Sequence, residues 1–420
     1  MKNSLAIHGG EPVLTEGGTF DWPILDKESE KAILDQLHTS ISIYDRSGVI
    51  EEFEDKFKNY HSRQYGLLSN SGTSAIFSMF EAINLIPGDE VVCPVYTFHA
   101  SVSPMMYTGA IPVFADCDDE GNVSLESITA KLTDKTKAVV VTHMWGVPAR
   151  DIAKIRELCD ERGLWLLEDC SHAHGASIDG KKVGSFGHAA SWSLQGQKII
   201  TGGEGGIMLT DDRKLYQRAL LQGHYNKRPK QELDQDDELH EFYLTGMGLK
   251  LRAHPIATAL ALQQFNHLDE FIAQKQKFAE RLNQELKDIP FLHLPTMSKS
   301  TQHSWYAYNL MYNREAAFGV SREEFVDALL AEGLKEADIP GSTGLINNLP
   351  LFTNPQKILP RMYTSSLPAQ MDFPGADSIY NGIIKFPVWV RAEDEDIVES
   401  YIAGIRKVSQ YLLSNHTLNA

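Results

Sequence analysis

Lys198 lies in Ser191-Trp-Ser-Leu-Gln-Gly-Gln-Lys-Ile-Ile-Thr-Gly-Gly-Glu-Gly205, a polar loop flanked by glycines. Upstream, the apolar run Leu164-Trp-Leu-Leu ends in Glu168-Asp169. A lysine and a carboxylate in these settings fit pyridoxal phosphate chemistry. The amine forms a Schiff base with the aldehyde, and the carboxylate keeps the pyridine nitrogen protonated so that the ring withdraws electrons. A lone carboxylate at the end of a buried strand is costly, so Asp169 calls for a cation. A pyridinium would serve, and a structural salt bridge is the alternative. His172 is placed to reach the ring hydroxyl, whereas His174 reads equally as site or structure. No further ligands at metal spacing accompany these two histidines, so no metal is expected.

A phosphate needs its own seat. Ser69-Asn-Ser-Gly-Thr-Ser-Ala75 follows a strand-like run and precedes the helical run Ile76–Ile83. Gly72 permits a tight turn. The hydroxyls of Ser71, Thr73 and Ser74 stand beside the unpaired N–H groups of a helix start, which suits an anion. A plain Ser/Thr helix cap reads the same way. Ser193, five residues before Lys198, can return a hydroxyl to the same phosphate. In Val95-Tyr-Thr-Phe-His99, Tyr96 is the candidate to stack on the cofactor ring, and Phe98 is expected in the core.

These residues must be positioned by a large chain. Its 420 residues exceed one small core, so two domains are expected. Hydrophobic residues are 42% and charged residues 23%, an ordinary globular balance. The formal net charge of −17 argues against nucleic acid and anionic membrane as partners. Cys93, Cys117, Cys159 and Cys170 form no CxxC pair and read as small buried hydrophobes in a reducing cytoplasm. Residues Met1 to Gly10 lack the apolar stretch of a signal peptide, and no run is long enough to span a bilayer. A cytoplasmic protein is expected.

Between Gln64 and Asp211 short apolar runs alternate with helical periodicity. The runs are Tyr65–Ser69, Val91–Val95, Pro112–Ala115, Ala138–His143, Trp165–Asp169, Ala189–Leu194 and Gly206–Thr210. They mostly lack polar alternation, as strands buried on both faces do. Helices between them, such as Ala149–Arg162, predict an α/β domain with a largely parallel sheet, and ligands sit at the carboxyl ends of such strands. The charged stretch Asn226–Glu241 reads as an exposed loop. A stripe of Phe265, Leu268, Ile272, Phe278 and Leu282 leads toward a second domain, which closes on a helix carrying Ile397, Tyr401, Ile405, Val408 and Leu412. Residues Gly341–Gly375 are irregular, as functional segments and plain surface loops both are. Arg46, Lys227, Arg228 and Lys250 are candidates for a nucleotide diphosphate, with solvated surface as the default.

Together the motifs resemble the DegT/DnrJ/EryC1/StrS family of sugar and cyclitol aminotransferases. The resemblance rests on Asn70–Ala75, Pro94–Phe98, Gly109–Asp116, Glu168–Ala176, and Ser193–Lys198 with Gly203–Gly206. It implies a fold-type I enzyme: a large domain, residues 1–260, with an N-terminal arm and a mixed, mostly parallel seven-stranded sheet, and a smaller α+β domain, residues 261–420. It implies that Lys198 is the Schiff-base lysine and proton shuttle, that Asp169 pairs with the pyridine nitrogen and that His172 lies near the ring hydroxyl. Ser71, Gly72, Thr73 and Ser193 would hold the phosphate, and Tyr96 would stack. The implied reaction moves an amino group from glutamate or glutamine to a keto-sugar, nucleotide-linked or free, or a keto-cyclitol, in a homodimer with shared active sites. A dehydratase branch of the family has His in place of the lysine, so Lys198 favours transamination over dehydration or lysis. A non-catalytic, cofactor-binding regulatory paralogue is the other alternative. One departure stands out. Where the family often has Gly-x-Asn-x-Arg reaching the neighbouring subunit's phosphate, this chain has Gly248-Leu-Lys250-Leu-Arg252. Lys250 would contact phosphate there as a point charge.

Overall fold

Stretches of Val, Ile, Leu and Ala without polar alternation pack on both faces and form the central strands. In the computed structural model, which describes residues 4–416, they are β1 (Tyr65–Ser69), β2 (Glu90–Pro94), β3 (Tyr96–Phe98), β4 (Ile111–Ala115), β5 (Thr136–Thr142) and β6 (Trp165–Asp169). The small hairpin β7 (Ser177–Ile178) and β8 (Lys181–Lys182) follows, then β9 (Ala189–Ser193) and β10 (Gly206–Thr210). Seven of them make one sheet in the order β1-β10-β9-β6-β5-β2-β4. Strands β9, β6, β5, β2 and β4 are parallel, and β10 runs antiparallel to both its neighbours. This is the mixed, mostly parallel seven-stranded sheet that the family resemblance implies, and the largely parallel sheet that the strand–helix alternation predicts. The helix expected from Ala149 begins at Ile152 and ends at Arg162.

Helix α1 (Lys27–Thr39) packs on the helix Pro255–Asn266, and α2 (Gly48–Tyr60) and α3 (Gly72–Ala82) flank the sheet's β1 end. The apolar stripe after Pro255 is carried by two helices, Pro255–Asn266 and Leu268–Leu286, broken at His267. A second sheet, β11-β13-β15 (Leu292–His293, Tyr308–Tyr312 and Ile383–Phe386), packs under the final helix Glu395–His416. Tyr308, Phe386, Tyr401, Ile405 and Val408 form its core, joined by Leu5 from the chain's start. β12 (Thr301–Gln302) pairs with β7, and β14 (Thr343–Leu345) pairs with β3. No helix among the described residues is long and apolar enough to cross a membrane. All four cysteines are buried and free.

Two expectations change. Residues 341–375 are not a plain surface loop: Ile346, Phe352, Tyr363 and Phe373 are buried in the core of the large sheet. Gln370 caps the sheet's edge, its Oε1 accepting from Phe114 N at 2.7 Å and its Nε2 donating to Pro112 O at 2.7 Å. Nor is 226–241 simply exposed. It holds a short helix, Lys227–Glu232, and Arg228 is only 1% exposed. The Arg228 guanidinium forks onto Glu54 at 2.9 and 2.8 Å and reaches Glu232 at 2.7 Å. Glu54 is fully buried, so it needs this cation. Arg46 likewise pairs with Glu51, Glu54 and Asp55.

Candidate active site

Strand β6 ends at Asp169, β9 ends at Ser193, and β1 runs into the turn that starts α3. These carboxyl ends open on one cavity of about 340 Å³. Ser71, Gly72, Thr73, Asp169, His172, Ser193 and Lys198 all line it. Residues from three parts of the sequence therefore meet in one place.

The seat at α3 is built by close approach. Ser71 is the N-cap, and its Oγ accepts from Ser74 N at 3.0 Å. Helix geometry leaves the N–H groups of Gly72 and Thr73 without intrahelical acceptors. Any Cβ on Gly72 would stand 2.7 Å from Ser193 Cβ, closer than side chains tolerate. A Cβ on Gly206 would stand 2.4 Å from Ser71 O. The two glycines let β9 and β10 press against the helix start, so the Ser193 hydroxyl joins the first-turn amides. Small hydroxyls, N–H groups and a helix N-terminus in one cradle favour a phosphate.

Asp169 is 5% exposed. Its Oδ2 accepts from Ser101 Oγ at 2.6 Å and its Oδ1 from Ser171 N at 3.0 Å. Ser101 Oγ lies 2.9 Å from Thr97 Oγ1, which lies 3.3 Å from Thr142 Oγ1. Three hydroxyls thus fix the carboxylate's rotamer and leave it facing the cavity. The preceding residue has another task. Glu168 is fully buried, with His143 Nε2 at 2.9 Å and the N–H groups of Gly184 and Phe186 at 2.8 and 2.9 Å, and Gly187 N also donates to it. Burial alone would raise this carboxyl, but those donors hold it below its usual range. His143, Glu168 and Cys170 lie close enough to suggest a metal. Yet the Glu168 oxygens are already saturated by donors, and burial pushes the Cys170 thiol well up.

Burial lowers Lys198 to about 8; Asp169 pulls the other way and Lys385 adds to the fall. Its Nζ lies 4.7 Å from the centre of the Tyr306 ring. The Trp22 indole donates to Lys198 O at 2.9 Å and ties the loop down. Tyr306 stacks on His172, ring centres 4.0 Å apart and 4° from parallel. Burial drives His172 well below the usual histidine range, with Lys198 adding to it, so the ring is neutral. Its Nδ1 is buried with no partner among the described residues, an atom that a ligand hydroxyl would satisfy.

Four assignments need correction or placing. Tyr96 does not line the cavity. It is fully buried in the core, its hydroxyl accepting from Trp145 Nε1 at 3.3 Å. Phe98, expected in the core, is 39% exposed and lines the cavity instead. The reason is position: Phe98 pairs across the β3–β14 ladder with Thr343, which also lines the cavity, whereas Tyr96 pairs with Leu345, which packs against the core. Lys250 is exposed and absent from the lining of its own chain's cavity, although Leu251 O accepts from Asn70 N at 2.8 Å and so runs beside the seat. His174 is fully buried outside the cavity, edge-on to Phe57. Ser101, Thr142, Tyr306, Ser342 and Thr343 also line the cavity. Sequence reasoning missed them because each is polar or aromatic without a motif, and the last three are brought in from far downstream.

Residues 24–402 match the DegT/DnrJ/EryC1/StrS aminotransferase family. The chain is 32% identical over 303 residues to a GDP-perosamine synthase of Escherichia coli O157:H7, covering 72% of this chain and 80% of that one. It is 32% identical over 354 residues to an L-glutamine:2-deoxy-scyllo-inosose aminotransferase of Streptomyces kanamyceticus, covering 79% of each. Among solved structures, an aminotransferase from Psychrobacter cryohalolentis superposes with a TM-score of 0.82 at 26% identity, covering 94% of this chain and 99% of that one. The protein belongs to this aminotransferase family. Its cavity fits pyridoxal 5′-phosphate on the evidence of its own residues: an anion cradle, a buried carboxylate, an unpartnered imidazole nitrogen and one lysine amine.

Proposed function

We propose that the protein is a pyridoxal phosphate-dependent aminotransferase that moves an amino group from glutamine or glutamate to a keto-sugar or keto-cyclitol. The observation that carries this reading is the convergence of Lys198 and Asp169 on one cavity that also holds the Gly72–Ser193 cradle.

The bound cofactor supplies an aldehyde that exchanges amino groups and a ring that withdraws electrons. Everything else falls to the chain. Ser71, Gly72, Thr73 and Ser193 hold the phosphate. Asp169, oriented by Ser101, keeps a proton on the pyridine nitrogen. Phe98 covers the ring, and His172 meets its hydroxyl. Lys198 Nζ would take a proton from the carbon bearing the donor's amino group and would deliver it to the carbon on the far side of that nitrogen. That role needs a neutral amine, and an amine lowered to about 8 is partly neutral at physiological pH. The keto acceptor then receives the nitrogen by the same steps reversed.

The donor assignment follows the glutamine-dependent relative and the acceptor class follows both curated relatives. A homodimer is part of the reading. Exposed Tyr225, Phe242, Leu244, Met247 and Leu249 form an apolar run leading to Lys250, and a partner's surface would cover it. Lys250 would then approach the phosphate of the partner's cofactor. Four buried free thiols suit a reducing cytoplasm. The two proposed units, 1–260 and 261–420, exchange segments: Leu5 packs with the second and residues 346–373 with the first.

The test is the donor half-reaction. Glutamine or glutamate, added to the holoenzyme without acceptor, should convert the cofactor to its aminated form, seen as loss of the aldehyde absorption band. Lys198→Ala should abolish the conversion. Persistence of the band with both donors would remove the reading in favour of elimination chemistry or a regulatory role.

A further inference from the structure

A second cleft of about 850 Å³ opens beside β11 and β13 and shares no lining residue with the active cavity. One stretch of chain divides the two. His303, Trp305, Ala307 and Asn309 line the cleft, while Tyr306 between them lines the active cavity. Trp145 does the same in a second place. It lines the cleft, and its ring lies 5.6 Å from His172 at 24° and 6.2 Å from Tyr306 at 26°. Its backbone is held at φ 56°, an uncommon conformation for a bulky residue and one that surrounding contacts must enforce.

The cleft carries unmet polar demand. His303 is 4% exposed with Nδ1 unpartnered, and Asn309 Oδ1 is buried without a partner among the described residues. Buried polar atoms left unpaired cost free energy that a ligand can return. Asp118, Asp119 and Glu120, which also line the cleft, share a single guanidinium, Arg150. Burial raises Asp118 to about 6, so a further cation there would be favourable. Burial also lowers His303 to about 4 and keeps it a neutral hydrogen-bonding group. Lys287 at the cleft offsets only one of the acids.

We propose that this cleft is a second ligand site for a small polyhydroxylated amine, an aminocyclitol or amino-sugar, whose ammonium meets Asp118–Glu120 and whose hydroxyls meet His303 and Asn309. Its occupancy reaches the cofactor cavity through Trp145 and Tyr306. The ligand class resembles the product of the proposed reaction, so the assignment rests on that reading and makes the cleft a product-sensing site.

The holoenzyme, reduced with borohydride to stop turnover, is titrated calorimetrically with 1-amino-1-deoxy-scyllo-inositol. The expected result is a saturable site that survives Phe98→Ala in the active cavity. Ser378→Trp on the cleft's exposed rim, and separately Asn309→Leu, should each weaken it about tenfold or more. Ser378 is exposed on a helix, so its variant keeps the test open if Asn309→Leu fails to fold. scyllo-Inositol, the same ring without nitrogen, should bind about tenfold more weakly. Equal affinity of wild type and Ser378→Trp, binding lost only in Phe98→Ala, or equal affinity for the neutral ring would each overturn the proposal. The donor half-reaction separates the two readings. If glutamine and glutamate both fail to aminate the cofactor, the aminotransferase reading falls. If either succeeds and the cleft binds nothing, only this inference falls.

Discussion

Ser101 Oγ donates to Asp169 Oδ2 at 2.6 Å, joining residues 68 apart in sequence. Ser101 lies in the short 3-10 turn after β3, so the strand that carries Phe98 into the cavity also places the hydroxyl that orients the carboxylate. One six-residue stretch, Tyr96–Ser101, therefore supplies both an aromatic ring in the cavity lining and the hydroxyl bound to Asp169. Replacing Ser101 by Ala removes the donor and leaves a buried carboxylate oxygen without it, a loss of about 1–3 kcal/mol. Cofactor affinity, measured by dialysis against free pyridoxal phosphate, should fall roughly tenfold or more. Unchanged affinity would mean that Ser171 N alone orients Asp169.

Gly72 has no room for a methyl group, because its Cβ would stand 2.7 Å from Ser193 Cβ and 2.9 Å from Ser193 Cα. Overpacking of this kind costs about 1–3 kcal/mol. In Gly72→Ala the strain falls on the phosphate cradle, so affinity for pyridoxal phosphate should drop more than affinity for pyridoxal. Equal losses for the two would place the effect outside the cradle.

Lys198 titrates at about 8 by virtue of burial. Because the folded value lies below that of an unfolded lysine, the folded state holds the proton less tightly. Reaction of the apoprotein amine with a simple aldehyde, trapped by borohydride, should rise as pH passes through about 8. Lys385 lowers the amine and Asp169 raises it. Lys385→Met should thus move the midpoint up, and Asp169→Asn should move it down. Shifts of the opposite sign would contradict the charge arrangement described here.

Much of this was legible in the chain. All seven strands of the large sheet appear as apolar runs within about two residues of their ends, because strands covered on both faces need no polar alternation to be recognised. That Gly72, Asp169, Ser193 and Lys198 share one cavity was legible because the first three lie at the ends of elements and Lys198 in the polar loop after β9. Tyr96 and Phe98 were exchanged, since both are aromatics in one short strand and only the fold decides which is covered. Arg228 read as surface because charge is normally solvated; its partner Glu54 lies 174 positions away, in a different helix. Tyr306, Ser342 and Thr343 carry no local signal; the last two reach the cavity because β14 pairs with β3, and Tyr306 because Ser304 N and Ala307 N on either side of it donate to Gly146 O and Trp145 O.

The Glu54–Arg228 pair carries a stability prediction. Both side chains are buried, at 0% and 1% exposure. Removing the Glu54 charge leaves the buried Arg228 with Glu232 as its remaining carboxylate, at a cost of up to about 3–5 kcal/mol. Glu54 Oε1 also accepts from Leu68 N at 2.8 Å on the strand that leads to Ser71. Glu54→Gln keeps that acceptor and removes the charge. It should lower the denaturation midpoint strongly, while Lys56→Ala on the exposed side of the same helix should leave it nearly unchanged. Similar midpoints for the two variants would show that the buried pair is compensated elsewhere.

Phe98 and Tyr96 offer the sharpest separation of site from core. Phe98 lines the cavity and is free to cover a ring, and aromatic stacking adds about 0.5–1.5 kcal/mol beyond burial. Phe98→Ala should therefore weaken cofactor binding several-fold with little change in thermal stability, since the side chain is already partly exposed. Tyr96 is fully buried, and its hydroxyl accepts from Trp145 at 3.3 Å. Tyr96→Phe leaves the indole N–H of Trp145 without that acceptor and should cost about 1 kcal/mol of stability while cofactor affinity holds. Binding measured by quenching of tryptophan fluorescence, alongside thermal unfolding of the apoprotein, reads both quantities on the same samples. If Tyr96→Phe weakened the cofactor and Phe98→Ala did not, the stacking role would return to the residue that the sequence alone favours.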